Sequence, residues 1–202
     1  MGSTYLWGGG GVNPITRWCG GRFRLVSVGA VCAGKMRGMG YPAVSWLSPD
    51  VEVRRSGIEG FGLFAVRGLA AGTVVERLGG RVIDDAALAV LEPPYSSLTV
   101  AEGVHLLLDP AHPVRYGNHS CEPNLWHVDA TTIALRTDVP ADTELTIDYA
   151  THTGVSGWSM PCTCGNAVCR GVVTGEDWRL PELRTAYGEH WTPPLLARIA
   201  AG

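Results

Sequence analysis

From Asp50 onward, apolar and polar residues alternate in short runs broken by Gly, Pro and Asp, the period of half-buried strands. Residues 51–55, 63–66, 73–76, 81–83, 104–108, 125–128, 132–136 and 144–147 are predicted strands on this pattern. Asp84 is placed to cap a short helix through Leu91, stopped by Pro93-Pro94. Residues 65–74 and 134–145 share one layout, a strand, a tight turn and a second strand. The tail from Glu176 is predicted to be helical in pieces, interrupted by Pro181 and by Pro193-Pro194. The expected fold class is mainly β (β-rich α+β), with many short strands.

Residues 1–49 depart from this pattern, with Gly clusters, no apolar period and no carboxylate before Asp50. They are expected to be a disordered leader or a mis-annotated start, with Met36 or Met39 as the alternative first residue. The longest uncharged apolar stretch there is residues 25–34, too short to span a bilayer, so no membrane partner is expected.

Charge is divided unevenly along the 202 residues. The net −3 combines five basic side chains in residues 1–49 with 19 acids and eleven arginines beyond, a net −8 for the body. An acidic body suits a cationic partner better than a phosphate backbone, so direct nucleic-acid binding is not expected. Lys35 is the single lysine. Arginine in place of lysine, with abundant Ala, Gly and Val, reads as a coding bias that points to a bacterial, cytoplasmic protein, with secretion left open.

Cysteine carries the most specific chemistry. Cys162, Cys164 and Cys169 fall within eight residues, and thiolates so close in sequence reach one tetrahedral ion more readily than they pair. A closed structural zinc site needs a fourth ligand. Cys121, in the polar turn 118–124, is the candidate, while Cys19 and Cys32 are expected to be idle. The alternative is a secreted, disulfide-linked β protein, which would hold no metal. Three further segments offer chemistry, each with a plainer reading. Asn118, His119 and Ser120 present donors and acceptors to a polar ligand, or satisfy their own turn. Gly60-Phe61-Gly62 lets backbone approach a ligand, or marks a strand bend. Tyr149 ends a strand after Asp148, as a working phenol or a packed ring.

Taken in order, these segments resemble the SET-domain protein lysine methyltransferases. The resemblance rests on Gly60-Phe61-Gly62 with the following Leu-Phe-Ala, on Arg115 through Asn124, on Glu144 through Tyr149, and on Cys162-x-Cys164-x4-Cys169-Arg-Gly. It covers about residues 50–171. It implies a SET domain over 50–150 and a post-SET zinc tail over 151–171, which leaves 172–202 as the helical extension expected from the pattern. It implies short curved sheets with a knot-like core where the Asn118 and Tyr149 segments meet. It also implies S-adenosyl-L-methionine as methyl donor, held by Gly60, Phe61, Gly62, Asn118 and His119 with Arg115 and Tyr95 lining the pocket. Zinc would sit on Cys121, Cys162, Cys164 and Cys169, Tyr149 would be catalytic, and Tyr116 and Ile147 would line a lysine channel.

The implied chemistry is consistent with the residues. A lysine attacks a methyl group only as the neutral amine. From a reference pKa of about 10.4, deprotonation at pH 8 costs about 3.3 kcal/mol. A nearby sulfonium and an apolar channel reduce that cost, so a strong base is not expected and the phenol would orient the amine. Ile147 stands where many relatives carry an aromatic, which leans towards more than one methylation. The segment 84–103 is short for a substrate-docking surface. The expected partner is a protein with an accessible lysine. The competing expectation is a non-catalytic SET-like module that binds zinc and recognises a peptide.

Overall fold

The computed structural model describes residues 40–202; the expectations for the leader up to residue 39 lie outside them. Four short open sheets carry the described residues. Trp46–Leu47, Val74–Arg77, Thr132–Leu135 and Leu125–His127 form one, in that spatial order and antiparallel throughout. Val51–Arg55, Phe61–Ala65, Glu144–Ile147 and Asn118–His119 form the second, whose last pair is parallel. Gly80–Asp84, Val104–Leu108 and Ser97–Ala101 form a third, and Ser159–Pro161 with Val172–Thr174 a two-stranded ribbon. The chain is therefore mainly β, as the alternation predicts.

The predicted strands are present within two residues at each end. Five others lack the signal because they are two to five residues long or already polar: Trp46–Leu47, Ser97–Ala101, Asn118–His119, Ser159–Pro161 and Val172–Thr174. Packing begins upstream of Asp50. Ser45 is buried and exchanges hydrogen bonds with Gly79, its Oγ donating to the Gly79 carbonyl at 2.8 Å and accepting from Gly79 N–H at 2.9 Å.

The two segments of shared layout pair with each other. Leu69 and Val139 exchange both backbone hydrogen bonds at 2.9 Å, and the second strand of each copy is bonded to the other copy. Each turn needs one left-handed residue, supplied by Gly72 (φ +81°) in one copy and Asp142 (φ +67°) in the other. Leu63, Val75, Leu106, Leu125, Leu135 and Leu145 fill the core between the sheets.

Asp84 caps the helix Asp85–Ala89, accepting from Ala87 N–H at 2.8 Å. In the tail, the prolines open helices instead of interrupting them. Pro181 begins Pro181–Tyr187 and Pro193 begins Pro193–Ala200, positions where the missing N–H would have had no helical partner. These helices and the link between them bury Leu183, Tyr187, Trp191 and Leu195 against Trp178 and Ala150. Thr192 N–H donates to Thr151 O at 2.9 Å, so the extension braces the residues that follow Tyr149. Trp191 is 1% exposed, and Trp191→Ala should lower unfolding free energy by about 3–5 kcal/mol in urea denaturation.

Candidate active site and thiol centre

The segments of residues 118–124 and 144–149 meet through parallel pairing, Asn118 beside Thr146 and His119 beside Ile147. Asn124 holds the same strand from its other end. Its amide donates to Glu144 O at 2.8 Å and its Oδ1 accepts from Thr146 N–H at 2.9 Å. The chain at Tyr149 is thereby fixed. Tyr149 N–H donates to His119 Nδ1 at 3.1 Å, and its phenol donates to Gly117 O at 2.7 Å. Because Nδ1 accepts, the His119 proton lies on Nε2, which faces Cys121 Sγ at 3.3 Å. His119 is neutral, burial pulling its pKa down to about 4.

Tyr149 borders a cavity of about 190 Å³ whose wall also includes Glu76, Tyr95, Arg115, Ile147 and His152. Burial pushes the Tyr149 phenol up to about 12, with the Glu76 carboxylate adding to the shift, so it is a neutral hydroxyl near neutral pH. His152 is the end of a chain of ring nitrogens. His127 Nδ1 faces Asp129 O at 3.2 Å and can only donate to it. His127 Nε2 must then accept from His152 Nδ1, 3.2 Å away. Burial holds both rings below the usual histidine range. Glu76 is 5% exposed and accepts no hydrogen bond from any described residue. Burial raises its pKa to about 8.

The site residues expected from the sequence fall into separate groups. Tyr95, Arg115, Ile147 and Tyr149 share the cavity. Gly60, Phe61, Gly62 and Asn118 form a second group, where the Asn118 amide donates to Phe61 O and to Glu144 Oε1, both at 2.9 Å. At Gly62 a Cβ would collide with the Glu144 carboxylate, so that glycine makes room for a neighbouring side chain. Gly60 has φ +47° with open space beside it, the feature a ligand cradle needs. His119 belongs to neither group, being 3% exposed beneath Tyr149. Tyr116 is not on the cavity wall; its ring lies 5.6 Å from that of Phe61.

The four thiols converge. Cys121, Cys162, Cys164 and Cys169 have sulfurs within 4.8 Å of one another and form no disulfide. Cys121 and Cys162 sulfurs are 3.7 Å apart. Tetrahedral zinc with bonds of about 2.3 Å requires an edge of about 3.8 Å, so the set fits that ion. Arg170 N–H donates to Cys121 Sγ and Gly171 N–H to Cys169 Sγ, both at 3.4 Å.

Asp148 links this centre to the cavity. It is fully buried and accepts two hydrogen bonds from Arg170 at 2.7 Å, one from Tyr187 OH at 2.8 Å and one from Ala150 N–H at 2.9 Å. Sequence reasoning missed Glu76, His152, Arg170 and Tyr187. Glu76 sits beside the exposed Arg77 at a strand end, where a charged pair reads as surface. Arg170 follows the last cysteine and was legible as a neighbour of the motif, not as the partner of Asp148.

Residues 60–150 match the model of the SET domain family. Among curated proteins the chain is similar to the human histone-lysine N-methyltransferase SETD2, 30% identical over 144 residues, covering 63% of this chain and 6% of that protein. It is also similar to the human histone-lysine N-methyltransferase 2B, 32% identical over 136 residues, covering 59% and 5%. The chain thus spans about one twentieth of the length of these relatives. Among solved structures it resembles the methyltransferase domain of human histone-lysine N-methyltransferase SETMAR, at 20% identity, 60% and 56% coverage and a TM-score of 0.48.

Two outcomes follow from the geometry. Purified protein should contain about one zinc per chain by elemental analysis, and Cys164→Ser should lose it. Glu76 holds its proton in the folded state up to about pH 8 and gives it up near 4.5 when unfolded. Its stabilising contribution is complete below about pH 4.5 and is lost as pH rises through about 8. Glu76→Gln should therefore melt progressively higher than the wild type between pH 5 and 8, with a constant difference above. Contributions from the buried histidines cancel in that comparison.

Proposed function

We propose that the chain is an S-adenosyl-L-methionine-dependent protein lysine methyltransferase. One observation carries this reading: the Tyr149 phenol, held by Gly117 O, borders a cavity built where the two paired motif segments meet. With its proton committed to Gly117 O, the Tyr149 oxygen presents lone pairs, which accept from the N–H of an amine and set its direction. Because the phenol stays protonated near neutral pH, it is not the proton acceptor. S-adenosyl-L-methionine supplies an electrophilic methyl on a sulfonium. Gly60, Phe61, Gly62 and Asn118, together with Arg115 and Tyr95, are the residues to hold it. Ile147 gives the cavity an apolar face without a hydroxyl, which leaves room for a methylated amine and favours more than one transfer.

The zinc tail contributes position. Zinc on Cys121, Cys162, Cys164 and Cys169 anchors Arg170, and Arg170 fixes Asp148 next to Tyr149. The net −8 of the body favours a cationic segment of a protein substrate carrying an accessible lysine.

The test is transfer of labelled methyl to purified core histones and, in parallel, to a whole-cell protein extract. Wild type should label protein. Tyr149→Phe removes the hydroxyl but keeps the ring; losing the bond to Gly117 O should lower the melting temperature by a few degrees, and the rate should fall about 10²-fold or more at a temperature where the variant remains folded. An unchanged rate would contradict the assignment.

A further inference from the structure

Resting on that reading, we propose that Glu76 is a second catalytic residue, whose carboxylate receives the substrate ammonium beside Tyr149 and takes its proton. Glu76 lies on the inward side of Val74–Arg77, registered against Leu47 and Ile133. It is the carboxyl on the cavity wall among the described residues, and it lacks a hydrogen-bond donor there. Burying a carboxyl without a donor is costly, and a cation entering the cavity would relieve that cost. Its neighbours do not. Arg115, on the same wall, lies over the Tyr116 ring at 5.1 Å and makes no ion pair with Glu76. Gly117 joins the two working groups: its carbonyl holds the Tyr149 hydroxyl, and a methyl in place of its hydrogen would lie 4.0 Å from Glu76 Oε1.

The other titratable groups facing Glu76 across the cavity are Tyr95, Tyr149, His152 and the permanently charged Arg115. Tyr149 holds its proton too strongly to accept another group's, and His152, held below the usual histidine range, binds one too weakly. Glu76, near pH 8, lies closest to the affinity needed. An Nζ–H bond breaks as an O–H bond forms on Glu76, leaving a neutral amine and a neutral acid. The freed lone pair on Nζ then forms the N–C bond while the S–C bond of the donor breaks, and its electron pair stays on sulfur as a neutral thioether. The methylated product leaves as an ammonium, and Glu76 returns its proton to solvent.

The test compares wild type with Glu76→Gln on the best-labelled acceptor from pH 6.5 to 10. The wild-type rate should rise along a limb centred near pH 8. The variant should be about 10²-fold slower at pH 7.5, and the ratio should shrink towards high pH, where lysine ionises unaided. A ratio near one, or one independent of pH, overturns the proposal while leaving the methyltransferase reading intact. Wild type that labels no lysine overturns both. If the variant does not fold, the wild-type profile decides, since a rate still climbing steeply at pH 10 contradicts a carboxyl acceptor. A second readout needs no turnover: in cofactor-free protein at pH 8.5, n-butylammonium chloride should raise the wild-type melting temperature above that in matched sodium chloride. The same rise in Glu76→Gln would contradict the proposal.

Discussion

The parallel pairing of Asn118–His119 with Glu144–Ile147 is the contact on which the site depends. It joins two segments well separated in sequence, and each of its side chains then has a different use. Asn118 reaches the Gly60 loop, His119 is pressed beneath Tyr149, and Cys121 is delivered to the thiols two residues on. A register slip of one residue would reverse the faces of all of them. Asn124 guards against such a slip by bonding both the carbonyl of Glu144 and the N–H of Thr146.

Two buried carboxyls show how the same group serves structure in one place and chemistry in another. Asp148 is saturated by Arg170, Tyr187 and Ala150, and a charge so compensated holds parts together. Glu76 has no such company among the described residues, and its carboxyl opens on a cavity. Removing a partner of Asp148 would leave a buried charge exposed to no solvent. Below about pH 8 a proton relieves the desolvation cost of the Glu76 charge, and above it a cationic guest would offset that cost.

Much of the architecture was legible because it follows local rules. The period-two alternation located the main strands, Asp84 announced its helix, and the spacing of Cys162, Cys164 and Cys169 with Cys121 located the thiol centre. What was not legible depends on tertiary neighbours. Pro181 and Pro193 break a helix or begin one according to what precedes them, and here both begin one. Gly62 is needed because Glu144, 82 positions away, occupies the space a Cβ would take. Glu76 adjoins the charged Arg77, and nothing local says which way a strand-end side chain turns. A family pattern located His119 in the motif but not its burial.

The most direct measurement is residue-level mass spectrometry of protein acceptors incubated with the enzyme and isotopically labelled S-adenosyl-L-methionine. A chain starting at Met39 contains no lysine, so any label on the enzyme itself is separable from label on the acceptor. The account predicts labelled methyl on acceptor lysine Nζ, lost when Tyr149 becomes Phe. Label confined to another residue type, or lysine labelling indifferent to Tyr149, would contradict it.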